Sequence, residues 1–364
     1  MNYKSNILII LIFFLSITFA KAENLNRVPT VAFTQSGKWH IYDENGKDMF
    51  KPLNFVRLIG YSEDFFTINI AMGKDTLCGF MTKDGKIASI PDAKLVGLFK
   101  NGFAQYVTWY KGTEDIKRFG YVRNDGVQIT KPIYLEATVF GENGLAFVMN
   151  WEKRGYIDES GNFIKEFSHG FGEAFSEGKA VVQDTAGKFG FIDENFKIVI
   201  PLEYDEAHDF HEGLSRINKD ALFGYIDTIG LSYIPPIFIL ATDFKEGRAF
   251  VAKGNAMDSL HWAILSHGGK ILTEYQFDQI NDYSQGIAAV KQNGKWFYVD
   301  LWGKKFIERD WKYCDSFVDG IALAFEDGGK ERKGYINIGG DYQFLLPKDA
   351  ENIIDLRLNK AAEK

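Results

Sequence analysis

The segment 206–212 has the residue types that most suggest chemistry in this chain. It holds two histidines and three carboxylates, namely Glu206, His208, Asp209, His211 and Glu212. Imidazole and carboxylate groups bind transition metals, but a site needs three or four ligands that converge from fixed directions. The corresponding segment 241–247 keeps the same alanine, phenylalanine, glutamate and glycine without any histidine. We therefore predict no metal site and no cofactor at this cluster.

Other polar patterns have simple explanations in turn formation. Runs such as Asp43-Glu44-Asn45-Gly46 offer oxygens to calcium, but Asp and Asn side chains also bond to the backbone of their own turns, and we favour that interpretation. No Ser, Cys or Lys lies in a recognisable nucleophile motif. We predict no catalytic residue and no enzyme, with a hydrolase of glycans or peptides, whose carboxylates meet only on folding, as the alternative.

Three aromatic residues lie outside the positions that the repeat described below requires. They are Trp109, Tyr110 and Trp151. Both tryptophans fall in the link between the first and second strands of adjacent repeats. Side by side on one edge, such rings would offer flat faces to a sugar or an apolar peptide side chain. Our hypothesis is a ligand-binding patch, and the alternative is that these rings cover the ends of the β-units as part of the core.

A motif of the form aromatic-Gly-aromatic-aliphatic-Asp returns about nine times, roughly every 35 residues, and predicts a repeat architecture. It is most complete at Phe189–Asp193 and Phe223–Asp227. A glycine follows the motif glycine at an offset of six residues in most copies, and Phe196 interrupts this series. Hairpin turns require positive φ, so the recurring glycine indicates a turn rather than a phosphate site.

Each repeat is predicted to contain three strands. In one copy these are Ala180–Val182, Phe189–Asp193 and Lys197–Ile200, with the third strand ending at Pro201 because proline cannot donate to a ladder. A segment such as Phe210-His211-Glu212-Gly213 then turns into the next repeat and buries its ring between neighbours. The fold class is therefore all-β, with tandem three-stranded β-meander repeats in a curved solenoid or a partly closed, propeller-like array.

The motif Phe223-Gly224-Tyr225-Ile226-Asp227, followed by Phe244-Lys245-Glu246-Gly247, resembles the WG-type repeat of bacterial proteins. The likeness covers nearly all of the mature chain. Tryptophan stands at the first motif position only at 39, 262 and 296, and the chain departs from the pattern at Cys78, Arg154 and Lys333. The resemblance implies tandem β-units, often outside the cytoplasm, and implies no specific reaction.

The domain organisation is predicted from the two ends of the chain. Residues 1–22 are predicted to be a signal peptide, because they contain Lys4, an apolar run over 7–15 and the small-residue pattern Ala20-Lys21-Ala22. The alternative is an uncleaved membrane anchor. The apolar stretch is short of the ~20 residues that cross a bilayer, so no membrane span is expected after cleavage. Residues 23–347 form one repeat domain, and 348–364 form a C-terminal cap or tail, either a short helix or a frayed end.

Charge and cysteine content narrow the possible functions. The chain has 42 basic and 49 acidic residues, interspersed and without a basic stripe, which argues against nucleic acid as a partner. Cys78 and Cys314 are predicted to be buried thiols rather than a disulfide. We expect a protein exported to the periplasm or the extracellular space. It would be a non-catalytic scaffold that binds protein or glycan partners through loops on one edge of the array.

Overall fold

The computed structural model describes residues 27–72, 75–110, 116–253, 260–326 and 332–361. Every regular element in these ranges is a β-strand, which confirms the all-β prediction. No helix in the described ranges is long and apolar enough to cross a membrane. The predicted signal peptide, residues 1–22, lies outside the described residues.

The strands form nine small antiparallel sheets in the described chain, which we call blades 1 to 9. Blade 1 contains β1 (Pro29–Gln35) and β2 (Lys38–Asp43) from one end of the chain with β32 (Glu351–Asp355) and β33 (Lys360–Ala361) from the other. Blade 2 contains β3 (Arg57–Ser62), β4 (Phe65–Met72), β5 (Asp75–Thr82) and β6 (Ile87–Ser89), and blade 3 contains β7 (Leu95–Val96), β8 (Phe103–Trp109) and β9 (Lys117–Arg123). Blade 4 contains β10 (Glu136–Ala137), β11 (Ala146–Met149), β12 (Arg154–Ile157) and β13 (Phe163–Phe167).

The remaining blades repeat this plan. Blade 5 contains β14 (Phe171–Gly172), β15 (Lys179–Gln183), β16 (Phe189–Asp193) and β17 (Ile198–Tyr204), and blade 6 contains β18 (Glu206–His211), β19 (Leu214–Lys219), β20 (Leu222–Asp227) and β21 (Ser232–Phe238). Blade 7 contains β22 (Leu240–Ala241), β23 (Arg248–Lys253) and β24 (His261–Ser266), and blade 8 contains β25 (Gln279–Ile280), β26 (Ile287–Gln292) and β27 (Lys295–Asp300). Blade 9 contains β28 (Tyr313–Cys314), β29 (Ile321–Phe325), β30 (Lys333–Asn337) and β31 (Tyr342–Leu345).

Each blade has a short inner strand that the sequence pattern did not indicate. It lies just before the turn with the phenylalanine, acid and glycine, and in blades 3, 4, 5, 7, 8 and 9 it is two residues long. The outer strand also differs from the prediction, because β17 continues past Pro201 to Tyr204. Proline is tolerated there because the outer strand is an edge of the sheet, and the register shifts between Phe189 and Phe191 on its partner.

The motif glycine allows the outer strand to pack closely against the third strand. A side-chain carbon added at Gly190 would lie 2.6 Å from the carbonyl oxygens of both Ile200 and Pro201 on the outer strand. The turn glycines also have positive φ, and Phe196, which interrupts their series, adopts φ 61° itself. The motif aspartate closes the same turn: Asp193 Oδ1 accepts hydrogen bonds from the backbone amides of Asn195 and Lys197. In the run Asp43–Gly46, Asp43 Oδ1 accepts the same two bonds from the backbone amides of Asn45 and Lys47, which confirms the turn interpretation of the Asp-x-x-Gly runs.

The core of the described chain is divided into apolar clusters, one between each pair of neighbouring blades. Between blades 6 and 7, for example, the Tyr225 and Phe244 rings have centroids 4.8 Å apart. The Tyr225 hydroxyl also donates to the Thr242 carbonyl of the next blade at 2.6 Å. The same bond, over the same offset of 17 residues, recurs from Tyr121, Tyr156 and Tyr298. The second motif aromatic therefore joins consecutive blades.

The array closes into a nine-bladed β-propeller, because the two ends of the chain share blade 1. Strand β1 pairs with β32 through Val31↔Asp355 and Ala32↔Ile354. An apolar cluster also packs Val31 and Phe33 of blade 1 against blade 9. Residues 348–361, the described part of the predicted C-terminal cap or tail, form two strands rather than a helix. Strand β32 instead serves as the inner strand of blade 1 and pairs with β1. This pairing satisfies the backbone hydrogen-bonding groups of both strands.

Candidate functional site

The propeller presents two different faces. In an antiparallel blade, consecutive connections alternate between the two ends of the strands. We call one end the latch face; it carries the turns between the inner and second strands, such as Glu212-Gly213. We call the other end the loop face; it carries the connections between the second and third strands, such as 150–153, and the links between blades.

The latch face takes its name from hydrogen bonds that join neighbouring turns. An acid or amide at positive φ accepts from the backbone amide of the turn in the next blade. These bonds are 2.7 to 3.0 Å long. Written as donor amide to acceptor side chain, they are Gly102 to Glu63, Gly213 to Glu177, Gly247 to Glu212, Gln285 and Gly286 to Glu246, and Gly320 to Gln285. The acid of the repeated turn is therefore a structural link between blades.

The structure places Tyr110 and Trp151 beside the same residue, Arg118, on the loop face between blades 3 and 4, whereas Trp109 is their neighbour along the chain. Trp109 ends β8, Tyr110 follows it, and Trp151 lies in the connection from β11 to β12. Their exposed fractions are 36%, 53% and 76%. The aromatic patch, defined as these three residues with Arg118 of β9, thus spans two blades and leaves most of the Trp151 ring open to solvent.

Arg118 is the residue of this patch that sequence reasoning missed. Its guanidinium carbon lies 4.9 Å from the centroid of the Tyr110 ring and 5.7 Å from that of the Trp151 ring. Arg118 is only 6% exposed, and its guanidinium donates to the Lys117 carbonyl at 3.1 Å. Aromatic faces attract cations, so the buried guanidinium stabilises the positions of both rings. The sequence contains one indication of Arg118, which is that it directly precedes the motif Phe119-Gly120-Tyr121 at the loop end of its strand.

The histidines of the segment 206–212 do not converge. His208 Nε2 lies 3.8 Å from Glu206, whereas His211 Nε2 lies 4.0 Å from Asp243 of the next blade. Burial lowers the pKa of His208, and the neighbouring Arg216 lowers it further. Within the described residues, no three His, Cys, Asp or Glu side chains are grouped as ligands of a metal ion.

A cavity of about 510 Å³ opens on the latch face among blades 6 to 9 and blade 1. Its lining includes four carboxylates, which are Glu212, Glu246, Asp282 and Asp315. Each has a partner in the fold: the first two bind backbone amides of the next blade, Asp282 pairs with Lys245 at 2.8 Å, and Asp315 accepts from the Tyr313 hydroxyl. We call this the acidic cavity, and its charges serve the structure.

Two further acids on the latch face have shifted pKa values. Burial raises the pKa of Glu173, and the Asp209 carboxylate of the next blade raises it further. Burial likewise raises the pKa of Asp209, although His211 and Lys100 oppose the shift. Raised pKa values suit a general acid, but neither residue lines the acidic cavity.

Cys78 and Cys314 are buried thiols in blades 2 and 9 and form no disulfide, as predicted. Burial raises the pKa of the Cys78 thiol, which favours its protonated form.

Comparison with known proteins agrees with this architecture. The family model described as "WG containing repeat" matches residues 119–150, 155–188, 189–222, 223–255 and 262–296. A solved structure titled "Crystal structure of the eukaryotic initiation factor" shares the fold at 11% identity and a TM-score of 0.60, covering 90% of this chain and 98% of that one. No curated protein sequence matches the chain.

Two further solved structures resemble the chain more distantly. BamB from Moraxella catarrhalis has 9% identity and a TM-score of 0.41, with 82% of this chain and 88% of that one covered. PorZ from Porphyromonas gingivalis, described as an essential bacterial surface component of the type-IX secretion system, has 11% identity and a TM-score of 0.35, with 88% and 52% covered. These scores are too low to add to the argument.

Proposed function

We propose that this protein, a nine-bladed propeller built of WG-type repeats, is a non-catalytic scaffold that binds a protein or glycan partner through its loop face. The observation that carries the proposal is Arg118, a cation held between two exposed aromatic rings. The fold itself needs no tryptophan at 151, because that side chain is 76% exposed. Large exposed rings beside an arginine are the composition typical of binding hot spots.

The patch suits a partner with a flat or apolar group next to an acidic one. The exposed surface of Trp151 can stack on a sugar ring or an apolar side chain, and the positive charge of Arg118 beneath the rings favours a partner with an acidic group nearby. Because the patch crosses two blades, the partner would contact both blades, and its affinity would depend on how the two blades are positioned.

The test is an affinity pull-down from cell-envelope extract with three forms of the full chain. These are the wild type, the double variant Trp109→Ala/Trp151→Ala, and the control Trp302→Ala, which removes another tryptophan that is 67% exposed but lies on blade 8. We expect the wild type and the control to recover the same partner and the double variant to lose it. Equal recovery by all three forms, with unchanged β-sheet circular dichroism, would rule out the aromatic patch.

We also propose that the protein is exported, because residues 4–22 have the charge, apolar length and small residues of a cleavable signal. Mass spectrometry of the protein from its producing cell should find a chain that begins near Glu23. Recovery of the intact chain from Met1 in the cytoplasmic fraction would contradict export.

A hydrolase remains the second candidate, and one observation favours it: Glu173 and Asp209 are interacting acids with raised pKa values. Incubation with fluorogenic glycan and peptide substrates would decide. Turnover by the wild type that disappears in Glu173→Gln/Asp209→Asn would establish an enzyme, and turnover that survives the substitutions would exclude these residues.

A further inference from the structure

A second cavity, of about 1,120 Å³, is lined by residues of blades 8, 9, 1 and 2 and opens on the loop face. We call it the basic cavity. Four cationic side chains line it, namely Arg57, Lys291, Lys312 and Lys333, against a single described carboxylate, Glu351. Acids outnumber bases in the whole chain, so this concentration of positive charge runs against the overall composition.

Two of these lysines have neutral partners. Lys291 donates to the Gln279 side-chain oxygen at 3.2 Å, and the Lys333 ammonium lies 5.9 Å from the centroid of the Phe325 ring. Neither forms an ion pair with a carboxylate of the described chain. Their charges therefore remain available to a ligand, unlike the carboxylates of the acidic cavity.

The apolar walls of the basic cavity strengthen the electrostatic field of its cationic side chains. Trp39, Trp296, Tyr313 and Phe325 line it and are almost fully buried, so they belong to the rigid packing between blades. Walls of low dielectric constant focus the field of charges of one sign and raise the local concentration of counter-ions. The four cations come from three different blades, so a ligand that contacts all of them must have several anionic groups.

We propose that the basic cavity binds a small multivalent anion with at least two phosphate or carboxylate groups. The volume is slightly above the range of about 300–1,000 Å³ typical of small-molecule sites. Lysine acts on phosphate and carboxylate groups as a point charge, and Arg57 adds a planar fork of donors. This site is separate from the aromatic patch and does not depend on the proposed binding of a partner there.

Isothermal titration of the full chain with tripolyphosphate and with citrate, at about 50 mM salt, tests the proposal. The variant Lys291→Gln/Lys333→Gln removes two charges from the cavity. Its matched control, Lys131→Gln/Lys197→Gln, removes two charges from exposed positions on blades 3 and 5. We expect binding of at least one probe to weaken about tenfold in the cavity variant and to change less than about twofold in the control.

The two probes separate phosphate from carboxylate ligands, and binding of either one supports the site. A third variant, Glu351→Gln, removes the cavity's single carboxylate and should tighten binding several-fold. Glu351 accepts a hydrogen bond from Thr34 through its backbone oxygen, so the fold should tolerate this change. The proposal fails if the wild type binds neither probe. It also fails if the cavity variant and the control variant lose the same affinity for a probe, because an equal loss would reflect the net charge of the protein alone.

Discussion

The acidic cavity and the basic cavity contain similar numbers of charged groups, but the fold uses those charges differently. In the acidic cavity, Glu246 accepts two backbone hydrogen bonds from the next blade, and Asp282 pairs with Lys245. In the basic cavity, Lys291 and Lys333 have only neutral partners among the described residues. The difference teaches that a cluster of charge indicates a ligand only where the protein has not already neutralised it.

The largest expected effect comes from the most internal charges, next to the acidic cavity. Arg357 and Asp355 form a buried ion pair of 2.8 Å, and the guanidinium also donates to the Val318 carbonyl of blade 9 at 2.7 Å. Arg357→Ala should lower the free energy of unfolding by about 3–5 kcal/mol, because it leaves the Asp355 charge buried and unpaired. Urea denaturation followed by circular dichroism measures this change.

The control for that prediction is an exposed pair of the same residue types. Arg123 and Asp125 are each close to half exposed, so Arg123→Ala should lower the free energy of unfolding far less than Arg357→Ala does. Equal destabilisation of both variants would show that burial of the Arg357–Asp355 pair does not increase its contribution to stability.

The next prediction compares the two cavities directly. Glu246→Ala removes the acceptor of two backbone amides that lie at the surface, and it should destabilise the fold by about 0.5–1.5 kcal/mol. Lys333→Gln in the basic cavity should change stability by less than about 0.5 kcal/mol, because no ion pair depends on it. Thermal unfolding of both variants measures the difference. Comparable losses would show that the basic cavity is also part of the structural framework.

The repeat itself could be predicted from the sequence because each blade solves the same local packing problem. Gly190 fits against the outer strand, Phe210 fills the space between blades, and Asp193 closes its turn within a few residues of the chain. Such contacts recur at fixed offsets, so their residue types recur as well. The aromatic patch was predictable in part, because Trp109 and Trp151 have no role in that pattern.

Features that join distant parts of the chain could not be predicted in this way. The pairing of Val31 with Asp355 joins two strands that lie outside the motif, so nothing in the period of the motif indicates closure. Arg118 contacts Trp151 only because the two blades lie side by side. The basic cavity had one signal, since Lys333 replaces the aromatic residue expected at the first motif position, but its meaning depends on Arg57 and Lys291 from other blades.

The smallest expected effect concerns the exceptions on the latch face, Glu173 and Asp209, whose pKa values are raised mainly by burial. A carboxyl with a raised pKa in the folded state favours folding when protonated, and this contribution is lost as the pH rises above its ordinary value, about 4 for these groups. The variant Glu173→Gln/Asp209→Asn should therefore gain thermal stability over the wild type as the pH rises from about 4 to neutral. Solvent around Glu173 keeps the gain modest. If the difference in Tm between the variant and the wild type did not vary with pH, the charged forms of Glu173 and Asp209 would be stabilised by partners in the fold, as Glu246 is. The acids of the latch face would then all serve the structure, in contrast to the lysines of the basic cavity.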